Sequence, residues 1–189
     1  MSSPFILAII LNIFAAAPNY LPNEIVWTEN YTLQWEDFLG QPNTRHHSDA
    51  LTSSSIYFGY RFDGDRTYEI EVYSSFFRDQ SWVKDGSPNS YLLEHEQRHF
   101  DLTEIYARKL KKELTEYAHN HESLERNYDH IFEKYFSLLE NEQKEYDRES
   151  HHSLNRSVQE KWNKYIKREL RRLEDYSSTR FILVCNGPQ

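Results

Sequence analysis

A chain of 189 residues is long enough for one domain with a core that needs no disulfide staples, and too short to hold two comfortably. Hydrophobic residues make up 38% and aromatics 15%, with only five Gly and six Pro, which excludes a disordered or fibrous chain. The net charge of -8 argues against nucleic acid as a partner, because phosphate binding needs a basic face, and a single cysteine, Cys185, excludes an internal disulfide.

Residues 4–17 read PFILAIILNIFAAA, an uncharged apolar stretch too short to cross a bilayer comfortably. It fits the apolar region of a secretory signal peptide ending in the small residues Ala15, Ala16 and Ala17, so residues 1–17 are expected to be a signal peptide and residues 18–189 a single domain. The implied location is extracytoplasmic, periplasmic or secreted, with no stable membrane span after cleavage. The alternative is a chain tethered to the membrane through an uncleaved N-terminal segment.

Residues 18–89 are mainly strand-like. The runs Thr52–Phe62 and Thr67–Phe77 are rich in aromatic and β-branched residues, and the second alternates Tyr68, Ile70 and Val72 against Glu69, Glu71 and Tyr73. Asp63-Gly64-Asp65-Arg66 between them supplies a hairpin turn, so the two runs are expected to pair antiparallel. Asn30–Gly40 reads as a short strand and a helical turn, and His46 and His47 fall in the loop beyond.

Residues 90–178 are mainly helical. Leu92, Leu93, Phe100, Ile105, Tyr106, Leu110 and Leu114 mark a helix from Ser90 to Tyr117 with Ser90 as its N-cap. A second helix is expected over Ser123–Glu145 with Leu124, Tyr128, Ile131, Tyr135, Leu138 and Leu139 inward, and a third over Asn155–Tyr176. Lys161, Lys164, Lys167, Arg168, Arg171 and Arg172 read as its solvated face. The tail 179–189 offers a short strand at Phe181–Cys185. The class is α+β, a small antiparallel sheet followed by about three helices.

The chemistry lies in His95-Glu96-Gln97-Arg98-His99. Spacing of four on a helix puts both imidazoles on one face, one turn apart, so that they can share one Zn2+ ion. Glu96 is placed to act as general base on a metal-activated water that attacks a peptide carbonyl. A third ligand is needed, and Tyr146–Ser153, read as a turn between helices, is the richest source. His152 is the first choice, with Glu149 and His151 behind it. Asp101 and Glu104 on the first helix are weaker candidates, because neighbours on one rigid helix rarely converge on an ion. Nearby carboxylates are alternatively partners that orient an imidazole N–H.

The segments Leu93–Arg108 (LEHEQRHFDLTEIYAR), Tyr146–Ser153 (YDRESHHS) and Trp35–Pro42 (WEDFLGQP) resemble a bacterial family of secreted zinc-dependent proteases catalogued as a domain of unknown function. The family patterns are H-E-Q-x-H-F-D, Y-D-x-x-T-x-H-G and W-x-D-F-x-G-x-P. Aligned so, His152 takes the family histidine, while Ser150 and Ser153 replace Thr and Gly. The resemblance implies a zincin-like fold with the motif on the first long helix, an exported metallopeptidase and a peptide or protein substrate. The alternative of another class is a non-catalytic exported or envelope protein with a structural metal site.

Overall fold

The computed structural model describes residues 22–62, 67–117 and 121–184. Residues 1–17, expected to be a signal peptide, Asp63–Arg66, expected to be a turn, and Cys185 lie outside the described residues. The class is α+β: strands β1 (Glu24–Val26), β2 (Ala50–Leu51), β3 (Ser54–Phe62), β4 (Thr67–Phe77) and β5 (Trp82–Val83), then helices α1 (Ser90–Tyr117), α2 (His121–Ser150) and α3 (Arg156–Arg172), then β6 (Arg180–Val184). Among the described residues no helix is long and apolar enough to cross a membrane.

β4 is the spine of the main sheet. β3 pairs along its whole length on one edge, from Ser54↔Phe76 to Phe62↔Tyr68. β1 and β6 divide the other edge, β1 against Ser75–Phe77 and β6 against Thr67–Glu71, both antiparallel. The expected antiparallel pairing is therefore present, but β4 does not keep a wet face. Glu71 is buried and accepts from Arg180 Nε at 2.9 Å, and Tyr73 stacks on Tyr57 at 4.5 Å. Its other face, Tyr68, Ile70 and Val72, joins Leu102, Ile105, Leu110 and Leu114 of α1 in the main core. β2 and β5 form a separate two-stranded ribbon.

α1 runs through the middle of the molecule, and its expected limits hold. Its cap is Asn89 rather than Ser90: Asn89 Oδ1 accepts from Leu92 N at 2.9 Å, because a carboxamide one position earlier reaches the free N–H of the first turn. α2 continues five residues beyond the expected end at Glu145, because Tyr146 extends the stripe of Ile131 and Leu139 into the core with no exposed surface. Leu138, expected inward, is 41% exposed, since the stripe turns past it to Leu139. α3 ends at Arg172, followed by a 3-10 turn at Glu174–Tyr176, and the basic residues from Lys161 to Arg172 are exposed, as the charge pattern implies.

The Trp35–Pro42 segment has a structural role. Residues 32–34 form no strand; Trp35–Asp37 is a 3-10 turn in which buried Asp37 accepts from Gln34 N at 2.8 Å. Phe38 packs edge-on against Phe76 in a second core with Leu33 and Phe100. Gly40 is required sterically: a Cβ there would lie 2.8 Å from Ser81 O and 2.9 Å from Asp79 O.

Candidate metal centre

Three helices each supply two side chains four residues apart: His95 and His99 from α1, Gln143 and Asp147 from α2, Gln159 and Asn163 from α3. That spacing stacks each pair on one helix face, and the three faces meet. Asp147 Oδ1 lies 3.1 Å from His95 Nε2 and 3.0 Å from His99 Nε2, and the two Nε2 atoms are 3.2 Å apart. These three residues form the group of donors able to hold a metal ion among the described residues. Tyr146 underlies the pair, stacked on His95 at 4.6 Å and edge-on to His99 at 4.9 Å.

The outer nitrogens are also engaged. His95 Nδ1 lies 2.9 Å from Gln159 Oε1, and His99 Nδ1 is hydrogen-bonded to Gln143 Oε1. An Nδ1–H on each ring leaves Nε2 with its lone pair turned to the shared point, which is what a cation needs and what two facing lone pairs without one would resist. The triangle of donors also has the right size. For bonds of 2.0–2.1 Å a tetrahedral zinc site has edges of about 3.3 Å. Glu96 is buried, and its Oε2 has no hydrogen-bond partner among the described residues. A bare carboxylate oxygen next to a histidine pair is anomalous in a sealed core and ordinary beside a cation and water.

The electrostatics fit the same reading. Burial pulls the His99 imidazole down, but the Asp147 carboxylate, reinforced by Glu96, more than offsets it and lifts His99 to about 9. Burial likewise pushes Asp147 up, and His99 and His95 together hold it well below the usual carboxylate range. A cluster that places a positive charge here on protonation is one in which a metal cation competes with a proton.

His152 stands beside the Asp147 corner of this triangle. Its Nδ1 lies 3.3 Å from Asp147 Oδ1 and its Nε2 3.1 Å from His47 Nε2. His151, His152 and Ser153 follow α2 with φ of 51°, 49° and 75°, three successive left-handed residues without a glycine, closed by His152 N→Asp147 O at 3.0 Å and Asn155 N→Ser150 O at 2.8 Å. This turn swings His152 back over the end of α2. The segment Tyr146–Ser150, read from sequence as a turn, is instead helical, and helicity is what aims Asp147 at α1.

The other candidates are engaged elsewhere. Asp101 accepts from Trp27 Nε1 at 2.9 Å, Gln97 Nε2 at 2.8 Å and Arg98 Nη1 at 2.6 Å. Glu104 accepts from Ser74 Oγ at 2.7 Å and Arg108 Nε at 2.7 Å. Glu149 accepts from Trp162 Nε1 at 2.8 Å, and His151 is exposed. Arg98 is held by Glu94, Asp101 and Asn163. Sequence reasoning missed Asp147, Gln143, Gln159 and the role of His47. The spacing Leu139 to Tyr146, one heptad, was the available sign that α2 runs on and carries Asp147 with it.

A cleft of about 880 Å3 opens beside the centre, lined among others by His47, Asn89, Tyr91, Asp147, His152 and Arg156. Residues 87–153, about a third of the chain, match the model of a family described as bacterial protein of unknown function (DUF922). The match spans α1, α2 and the left-handed turn, and so takes in His95, Glu96, His99, Asp147 and His152. No curated protein and no solved structure matches the chain.

Proposed function

We propose that the chain is an exported zinc-dependent metallopeptidase with one ion held by His95, His99 and Asp147, and with a zincin-like arrangement of the motif helix. The observation that carries this reading is the pairing of a 3.0–3.2 Å donor triangle with an unpartnered buried carboxylate oxygen on the adjacent residue. Bound zinc would lower the pKa of a water and polarise a carbonyl.

The chain's own residues supply the rest. His95 and His99 would offer an ion two neutral donors and Asp147 one negative donor, fewer protein ligands than a closed structural site uses. Glu96, buried and without a hydrogen-bond donor on Oε2, is suited to hold and pass on a proton as general base and acid. The cleft lined by His47, Tyr91 and Arg156 reaches the Asp147 corner of the triangle, the side from which a peptide would approach. His152, held at the cleft wall between Asp147 and His47, is available as a hydrogen-bond donor to a substrate carbonyl or as a further ligand. Export rests on the apolar segment 4–17.

Glu96→Gln is the test. The variant is expected to keep one zinc per chain and to lose hydrolysis of a peptide library by 100-fold or more, since general-base catalysis contributes about 10²–10⁴-fold. Hydrolysis at the wild-type rate would remove Glu96 from the chemistry, and a wild-type chain that binds zinc but hydrolyses nothing would leave a structural metal site as the better reading.

A further inference from the structure

We infer that Gln143 and Gln159 are positioning residues, two neutral amides that fix the tautomer of His99 and His95 so that both rings present Nε2 to the ion. The inference rests on the metal centre proposed above and adds the means by which the chain prepares it.

Each amide has one end, the oxygen, turned to the imidazole ring. Gln143 Nε2 donates to the His99 carbonyl oxygen at 2.9 Å and to Thr103 Oγ1 at 3.3 Å. A carbonyl can only accept, so the nitrogen must lie on that side and the oxygen must face His99 Nδ1. The imidazole then has to donate.

Gln159 is fixed by a longer chain. Arg98 Nε donates to Asn163 Oδ1 at 3.0 Å, and Asn163 Nδ2 donates to Glu94 Oε1 at 3.0 Å. A guanidinium only donates and a carboxylate only accepts, so Asn163 has one possible orientation. Its Oδ1 also accepts from Gln159 Nε2 at 2.9 Å, and the Gln159 oxygen is thereby turned onto His95 Nδ1. The relay runs Glu94 and Arg98, Asn163, Gln159, His95. It begins and ends on α1, so Arg98, between the two histidines in sequence, is linked to His95 through α3.

Amides in these places also suit the charge of the site. Asp147 and Glu96 already bring two carboxylates to it, and a carboxylate behind each histidine would add two more in a buried volume. Glutamine orients an imidazole without that repulsion. Gln159 has no exposed surface, so its conformation is held by packing as well.

The test uses the full mature chain loaded with cobalt(II) or zinc, with variants Gln143→Met and Gln159→Met, which keep side-chain length and remove the acceptor. In the cobalt protein, proton NMR is expected to show two hyperfine-shifted, solvent-exchangeable resonances from the ligand Nδ1–H groups, slow to exchange because each is hydrogen-bonded. Each variant is expected to weaken zinc binding about 10–100-fold in chelator competition and to make one of the two resonances exchange fast or disappear. Circular dichroism of the metal-free forms checks folding. Should Gln159→Met not fold, Gln143→Met, at a partly exposed position, decides alone. A folded variant that binds zinc within about twofold of wild type and keeps both slow resonances overturns the inference, because a packing residue would behave so. A wild-type chain that binds neither metal would overturn the metal centre itself.

Discussion

Asp147 is the residue on which the electrostatics of the centre depend, and Asp147→Asn isolates its charge with little change of shape. Without metal, His99 is held at about 9 against an ordinary 6.5 by this carboxylate, against the pull of burial. The span between those values corresponds to about 3 kcal/mol of preferential stabilisation of the charged imidazole. Because the folded value is raised, that stability is fully present below pH 6.5 and is lost as pH rises through 9. Seen from Asp147, whose folded value is depressed, the same pair persists until strongly acid pH. In the Asn variant only Glu96 and the Gln143 hydrogen bond are left to oppose burial, and His99 should titrate well below its wild-type value. Two assays read this: the His99 ring resonances followed by NMR from pH 5 to 10, and urea denaturation of metal-free protein across the same range. The stability advantage of wild type over Asp147→Asn is expected to be largest below pH 6.5 and to shrink by up to about 3 kcal/mol between pH 6.5 and 9.5, the contributions of other groups cancelling in the difference. A His99 midpoint near 6.5 in wild type, or one unchanged by the substitution, would refute the pairing.

Two further outcomes follow from the geometry. Ser153 has φ of 75°, a conformation that costs a residue with a Cβ about 1–2 kcal/mol, partly offset by the entropy glycine loses on folding, so Ser153→Gly should stabilise by roughly 0.5–1 kcal/mol in denaturant melts. A less stable variant would mean the left-handed turn is not formed. Lys111 is buried with Nζ donating to Ser178 O at 3.0 Å, and burial, only partly offset by Glu104, lowers it to about 8. The unfolded chain then binds more protons between pH 8 and 10.5, so the burial penalty of about 3 kcal/mol is present below pH 8 and relieved above it. Lys111→Met should therefore gain stability at pH 7, and the gain should shrink by pH 9.5; a gain independent of pH would contradict the titration.

The sequence showed best where a pattern was local. The period of Leu92, Phe100, Ile105 and Leu114 set the limits of α1, and Asp63-Gly64 between two β-rich runs announced the β3–β4 pairing. His95 and His99 share a helix face by spacing alone. Asp147 was hidden because the cluster Asp147-Arg148-Glu149-Ser150 has the composition of a loop, while the burial of Tyr146 and Ser150 on either side of it anchors the last turn of α2. Gln143 and Gln159 carry no local signal, since a glutamine on an amphipathic helix is ordinarily a surface residue, and each becomes informative only when its helix is docked on α1. His47 reaches His152 through the tertiary placement of the segment before β2, which nothing in its neighbourhood specifies. Ser153, which takes the place of the family glycine, keeps the positive φ that a glycine adopts freely, so the turn is formed without one.

The most direct test is the location of the ion. Anomalous diffraction at the zinc edge from crystals of the mature chain grown with zinc should place one ion about 2.0–2.2 Å from His95 Nε2, His99 Nε2 and an Asp147 carboxylate oxygen, with Glu96 beside the remaining position. A chain that takes up no zinc, or zinc bound between His47 and His152 with the His95–His99–Asp147 triangle empty, would contradict the account.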